Sequence, residues 1–255
     1  MDVRRYLSDL VAAAREVLGD DLVGAYGAGS LALDAYVPGR SDIDVALVGA
    51  GALDRDRKRA LVARLRHEAL PVPARGLELV VYRRAVAASG TPDPGFEVEL
   101  NSGPRMDFRA TYDPADRPAA DGLFWYGLDR SILHQSRLAL LGPPAAEVFA
   151  DLDPADLRRL LVDALGWWMA IPTPAGDGPA PGVEDAVLGA CRSLVRVRDG
   201  VWLSKAAAGE HLVAGGDPAA PLITRALAAC RGGPPPTGPA ARAFQDRVRT
   251  EIARS

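Results

Sequence analysis

The spacing of the apolar residues changes about half-way along this 255-residue chain. Before residue 121, short runs rich in valine and leucine alternate with stretches whose apolar residues recur every three or four positions, which predicts alternating strands and helices. From Asp121 onward only the helical spacing recurs. We therefore expect an α+β protein with two domains. Residues 1–120 would form a small mixed sheet flanked by helices, and residues 121–255 an all-helical domain.

Charge and hydropathy exclude several classes of function. Thirty Lys and Arg against 33 Asp and Glu leave a formal net charge of -3, which does not attract nucleic acid over long range. No stretch is long and apolar enough to span a bilayer, and Cys191 and Cys230 are too far apart for a metal-binding spacing. We expect a cytoplasmic monomer with buried, reduced thiols, and neither nucleic acid nor membrane as a partner.

The first of three predicted strands, at 22–26, 43–48 and 77–82, ends in a glycine-containing turn. Gly29 and Ser30 follow it directly and precede a short predicted helix. Backbone amides and a hydroxyl at such a turn can bind an anion. Glycine lets the backbone approach a phosphate closely because it has no Cβ. The turn is therefore the predicted place of a triphosphate.

Two aspartates one residue apart form the main chemical signal of the sequence. Asp42 and Asp44 flank Ile43 in the second predicted strand, and alternation along a strand turns both carboxylates to one side. Two such charges repel each other unless a divalent cation lies between them, and Mg²⁺ suits oxygen ligands of this kind. By itself the motif fits equally a surface turn, or the metal motif of a sugar-nucleotide glycosyltransferase.

Glu78 is the one polar residue in the otherwise apolar third predicted strand. Alone, such a residue is more often on the surface of an edge strand. If the third strand lies beside the second, Glu78 faces the same cleft. It could then accept a proton from an attacking hydroxyl or complete the metal shell.

Together these residues resemble the DNA polymerase beta-type nucleotidyltransferase superfamily. The resemblance consists of Gly29-Ser30, eleven residues, Asp42-Ile43-Asp44-Val45, and a later strand carboxylate. Within that superfamily the chain resembles the streptomycin and spectinomycin adenylyltransferases. Further segments similar to that family's helical domain are Leu141-Gly142-Pro143, residues 187–192 and Ser204-Lys205-Ala206-Ala207.

The resemblance implies an enzyme of antibiotic resistance. It would use Mg²⁺ and transfer AMP from ATP to a hydroxyl of a small acceptor, an aminoglycoside, with release of pyrophosphate. Asp42 and Asp44 would hold the metal, and Glu78 would be the general base. The residues implied in nucleotide binding are Gly29, Ser30, Ser41, Arg192 and Lys205.

Arg192 and Lys205 also stand out on physical grounds. Arg192 lies on a largely apolar predicted helix, where a guanidinium needs a partner. Lys205 follows Ser204 at a predicted helix start, where a lysine gains nothing from the helix dipole. Phosphates would explain both, although salt bridges on the surface would do so equally well.

The acceptor side departs from the family. Gly103 and Gly182 occupy the positions where that family carries a drug-contacting tryptophan and aspartate. Negative charge for a polycationic acceptor could come instead from four acidic residues. These are Glu97, Glu99, Glu184 and Asp185.

Two other functions remain open at this point. The chain could modify a protein, as small antitoxin-type members of the superfamily do, but its fused helical half favours a small acceptor. It could also be a catalytically idle ATP-binding regulator. The presence of both aspartates and a candidate base argues against that reading.

Overall fold

The computed structural model describes residues 2–176 and 178–255, which form two compact units, Met1–Asp153 and Pro154–Ser255. The expected boundary lay at residue 120. Residues 121–153 instead belong to the first unit, because they supply an edge strand of its sheet and helices that pack against the sheet.

The first unit is built on a mixed sheet with the strand order β5-β4-β3-β2-β1-β6. β2 and β3 run parallel, and the other neighbouring pairs are antiparallel. The strands are β1 (Leu22–Gly27), β2 (Ile43–Gly49), β3 (Leu77–Arg83), β4 (Phe96–Gly103), β5 (Met106–Thr111) and β6 (Ala139–Leu141).

The helices of this unit begin largely where capping residues predict them. Asp2 accepts from the Arg4 amide at the start of the first helix, and Asp54 accepts from the Arg57 amide over 2.8 Å at the start of the third. The helices are α1 (Val3–Leu18), α2 (Gly29–Ala32), α3 (Arg55–Leu65), α4 (Arg84–Ala87), α5 (Phe124–His134) and α6 (Ala145–Val148).

Alternation along the strands gives the sheet two different faces. One face, with Val45 and Leu79, is buried in a core that also contains leucines of α1 and α3. The other face carries Ala46 and packs against Tyr126 of α5 and Phe149. Asp44 lies two residues before Ala46 and therefore belongs to this second face. Glu78 is the register partner of Asp44 on the parallel strand β3, so its carboxylate belongs to the same face.

Three strands escaped the sequence analysis. β4 carries Glu97 and Glu99, both buried, so its alternation of apolar and polar residues does not mark a half-exposed strand. β6 has only three residues and shows no period of its own, although it pairs with β1. The expectation that everything after residue 121 is helical is therefore wrong for β6.

Among the residues that the structure describes, the second unit consists of helices joined by loops and has no strand. Its core includes Leu161, Val187, Leu194, Ile223 and Val248, each almost inaccessible to solvent. The helices are α7 (Pro154–Ala170), α8 (Val183–Asp199), α9 (Lys205–Ala214), α10 (Ala220–Ala229) and α11 (Gly238–Arg254). The predicted α/β half followed by a helical C-terminal part is thus confirmed.

Two smaller expectations can be compared with the structure. Cys191 and Cys230 are both free thiols, but only Cys191 is buried, since Cys230 at the end of α10 is partly exposed. Within 2–176 and 178–255, none of the helices combines the length and the apolar character that crossing a bilayer would require.

Candidate active site

The predicted carboxylates come together at one end of the second face of the sheet. Asp44 and Glu78 are register partners on the parallel strands β2 and β3, and Asp42 directly precedes β2. All three influence one another electrostatically, as does Asp129 of α5. Parallel pairing of β2 with β3 is thus what turns two separate sequence signals into one acidic cluster.

The charges of this cluster are poorly compensated. Burial raises the pKa of Glu78 from its ordinary 4.5 to about 7, repulsion by Asp42 and Asp129 adds to the rise, and Arg75 opposes it. Burial, followed by repulsion from Glu78, Asp42 and Asp129, also holds the pKa of Asp44 well above its ordinary value. Such shifts indicate a site that would gain from a bound cation.

The residues present suit Mg²⁺ better than a cation that needs a complete protein cage. No group of three or more His, Cys, Asp or Glu side chains in the described ranges has the arrangement of a preformed metal site. Mg²⁺ typically takes one or two carboxylates from the protein and completes its shell with waters and substrate phosphates. Asp42 and Asp44 match that requirement.

The Gly29-Ser30 turn packs directly against Asp44. The Ala28 amide donates to the Asp44 carbonyl over 2.9 Å, and the Ser30 backbone N–H donates to the Asp44 carboxylate. Gly29 has a positive φ of 50°, and a Cβ at this position would overlap the Asp44 carboxylate. We expected this glycine to admit a phosphate, but the structure shows that it admits Asp44.

The Ser30 side chain is the strongest candidate ligand in this turn. Its hydroxyl oxygen is inaccessible to solvent and has no hydrogen-bond partner among the residues that the structure describes. A buried hydroxyl without a partner is costly and calls for a ligand. Ser41, in contrast, already accepts a hydrogen bond from the Val37 amide over 3.0 Å.

Two residues at the cluster were missed in the sequence. Arg75 donates from Nη2 to Asp42 Oδ2 over 2.8 Å, and Asp129 contributes to the shifted pKa of both Asp44 and Glu78. Asp129 could have been noticed as the one acidic residue of a helix whose first turns are apolar. Arg75 precedes its strand and gives no sequence signal.

α5 is fixed in place by the residue next to Asp129. The buried Arg130 guanidinium donates to three carbonyl oxygens at distances of 2.5–2.7 Å, those of Thr91, Asp93 and Pro94. It also lies over the ring of Tyr82, 5.0 Å from its centroid. These contacts hold α5, and therefore Asp129, against the sheet.

Glu97 and Glu99 differ from our expectation that they face a cationic acceptor. Glu97 pairs with Lys58 over 3.0 Å and with Arg83 over 2.8 Å. Glu99 pairs with Arg109 over 3.2 Å and with Arg117. Both carboxylates are buried and already neutralised within the protein, which argues against direct binding of an acceptor by either.

The predicted residues of the second unit make contacts within that unit. Lys205 is the first residue of α9, after the N-cap Ser204, as predicted. Its Nζ lies 3.0 Å from Asp185 Oδ1. Glu184 accepts from the Gly182 amide over 2.9 Å. The Arg192 guanidinium lies over the Trp202 ring, 5.8 Å from its centroid. Their binding to nucleotide or acceptor stays a prediction.

The fold of this chain, a mixed sheet followed by a helical unit, is similar to that of a solved structure. It is the crystal structure of spectinomycin adenyltransferase AAD(9) from Enterococcus faecialis with ATP and spectinomycin, which matches with a TM-score of 0.65 over 98% of each chain. The chain has the fold of an adenyltransferase. Sequence identity is 15%, so the fold is what the two proteins share. No protein-family model and no curated protein matches the sequence.

Proposed function

We propose that the protein is a Mg²⁺-dependent nucleotidyltransferase that transfers AMP from ATP to a hydroxyl of a small acceptor. The observation that carries this proposal is the pairing of Asp44 with Glu78 on parallel strands, beside the buried hydroxyl of Ser30. The similarity to an adenyltransferase fold supports it. An aminoglycoside-type antibiotic is the acceptor class we favour, which would make this an enzyme of antibiotic resistance.

Asp42 and Asp44 would hold the metal. When bound, Mg²⁺ supplies positive charge that offsets both the repulsion between these carboxylates and the negative charge of the triphosphate. The Ser30 hydroxyl, which lacks a hydrogen-bond partner, would donate a hydrogen bond to a phosphate oxygen. Gly29, Ser41, Arg192 and Lys205 are proposed to contribute to nucleotide binding on the strength of the sequence resemblance.

Glu78 would act as the general base. The acceptor hydroxyl attacks the α-phosphorus of ATP, its proton passes to a Glu78 carboxylate oxygen, and the bond from the α-phosphorus to the β-phosphate oxygen breaks to release pyrophosphate. The raised pKa of about 7 suits this role, because it gives the carboxylate more affinity for a proton than an ordinary glutamate has.

The acidic character of the site favours a cationic acceptor. Asp44, Glu78 and Asp129 gather negative charge where the acceptor hydroxyl would have to arrive. A polyamine-bearing sugar would be attracted by that field, whereas a neutral metabolite would not. The AAD(9) structure of similar fold was determined with ATP and spectinomycin. Glu184 and Asp185 remain proposed as further acceptor contacts in the second unit.

The test is a screen of aminoglycosides, spectinomycin and neutral hydroxylated metabolites with ATP and Mg²⁺, read by mass spectrometry of the acceptor and by pyrophosphate release. One cationic compound should gain the mass of an AMP group. Asp42→Asn should abolish transfer while the circular dichroism spectrum stays the same, because the substitution removes a charge without changing shape. Full transfer by Asp42→Asn would refute the metal assignment.

The alternative functions give different outcomes in the same screen. An idle nucleotide-binding regulator would bind ATP but release no pyrophosphate with any acceptor. A protein-modifying enzyme would release pyrophosphate only with a protein substrate, and the AMP mass would then appear on that protein.

A further inference from the structure

Arg75 contacts the candidate metal ligand but has no role in the mechanism above. Its Nη2 donates to Asp42 Oδ2 over 2.8 Å. We propose that Arg75 is a built-in counter-ion of the acidic cluster, which gives up Asp42 to an incoming divalent cation and then binds the nucleotide phosphates. This inference rests on the proposed function, because it takes Asp42 as a metal ligand.

The Arg75 backbone is fixed whereas its side chain can move. Its carbonyl accepts from the Arg105 amide over 3.0 Å, and the carbonyl of the next residue, Gly76, accepts from the Ile43 amide over 2.8 Å. The Arg75 side chain is 50% exposed and that of Asp42 23%. A solvated ion pair of this kind is held weakly, so the guanidinium can change partner without any movement of the strands.

Arg75 and a divalent cation would compete for Asp42. A guanidinium bound to one carboxylate oxygen and a dication bound to the same group would lie only a few ångströms apart. Their electrostatic repulsion is substantial even at the high dielectric constant near solvent, so metal binding favours the departure of Arg75 from Asp42. Until then, Arg75 keeps part of the negative charge of the cluster compensated, which explains why it also lowers the pKa of Glu78.

The released guanidinium would have a new partner close by. Asp42 and Asp44 would hold the metal, and the triphosphate bound to that metal would then lie close to Arg75, which pairs with Asp42. The planar fork of a guanidinium matches two phosphate oxygens at once, which favours this exchange over an unpaired state in solvent. One ion pair within the protein would thereby be replaced by an ion pair with the ligand that contains two hydrogen bonds.

The first measurement is Mn²⁺ binding to the nucleotide-free protein, read from the electron paramagnetic resonance signal of free Mn²⁺. Arg75→Gln should bind Mn²⁺ roughly tenfold more tightly than the wild type, because a competing cation has been removed. The matched control is Arg64→Gln. Arg64 also pairs with one carboxylate, that of Glu16, over 2.9 Å and is 42% exposed, and its loss should leave Mn²⁺ binding unchanged.

The second measurement is calorimetric binding of a non-hydrolysable ATP analogue in the presence of Mg²⁺. Here Arg75→Gln should weaken binding by about tenfold, since a charged hydrogen-bonding partner of the phosphates is lost. An arginine with a merely structural role would not, when replaced, raise the affinity for Mn²⁺ and lower the affinity for the ATP analogue in the same variant.

The outcomes separate this inference from the proposed function. Mn²⁺ binding to Arg75→Gln that is no tighter than to the wild type overturns the counter-ion role, and unchanged analogue binding overturns the phosphate role. If Asp42→Asn abolishes Mn²⁺ binding while Arg75→Gln leaves it unchanged, the metal site stands and this inference falls. Absence of Mn²⁺ binding to both the nucleotide-free wild type and Arg75→Gln overturns the counter-ion role, whereas the proposed function is overturned only by full transfer in Asp42→Asn.

Discussion

Replacing Glu78 by Gln should stabilise the metal-free protein, although the same change removes the proposed base. The pKa of Glu78 rises from 4.5 to about 7 on folding, mainly because the carboxylate is buried. A carboxyl group whose pKa is higher in the folded state stabilises the fold below its unfolded pKa. That contribution is lost as the pH rises through the folded pKa. The penalty therefore develops between about pH 4.5 and pH 7 and is complete above it.

The size of the effect follows from the shift. A rise from 4.5 to about 7 corresponds to about 3–4 kcal/mol at about 1.4 kcal/mol per pKa unit. Glu78 is partly accessible to solvent, which lessens the penalty, so we expect a gain of about 2 kcal/mol for Glu78→Gln at about pH 8. At about pH 5, where the carboxyl is mostly protonated in the fold, the gain should be under about 1 kcal/mol.

The assay is urea unfolding in the presence of EDTA, with hydrogen–deuterium exchange mass spectrometry as the readout at each urea concentration. Peptides from β2 and β3 then report the first unit separately from the helical unit. Glu210→Gln, at an exposed position of α9, is the matched control and should have little effect at either pH. Equal stability of wild type and Glu78→Gln at both pH values would refute the reasoning, as would a loss of stability that does not depend on pH.

Three further substitutions test other parts of the site. Gly29→Ala should lower the free energy of unfolding by about 1–3 kcal/mol, because the residue has a positive φ and the new Cβ would overlap Asp44. Urea unfolding measures this change, and an unchanged free energy of unfolding would contradict the packing described. Ser30→Ala should leave stability unchanged or slightly higher, since its buried hydroxyl lacks a partner, yet weaken calorimetric binding of the ATP analogue by about tenfold. Arg130→Ala should cost about 3–5 kcal/mol in thermal unfolding, because three carbonyl oxygens lose their donor, and a loss under about 1 kcal/mol would show that α5 is held by other contacts.

Much of the local structure could be read from the sequence. Capping by Asp54 and Ser204, the apolar strands around Val45 and Leu79, and the helical spacing after residue 153 all depend on neighbours within a few positions along the chain. Periodicity and capping record interactions of that short range, so the α/β half and the helical C-terminal part were predictable. β4 was missed although its alternation of apolar and polar residues is typical of a strand; what the sequence could not show is that its glutamates are buried by ion pairs with residues far along the chain.

The candidate site divides in the same way. That Asp42 and Asp44 share a face follows from alternation along one strand, which is a property of the sequence alone. Only the tertiary structure decided that Glu78 stands beside Asp44, that Asp129 approaches from α5, and that Arg75 neutralises Asp42. The register between strands and the docking of a helix on a sheet are set by packing between distant segments. No local sequence pattern records either of them.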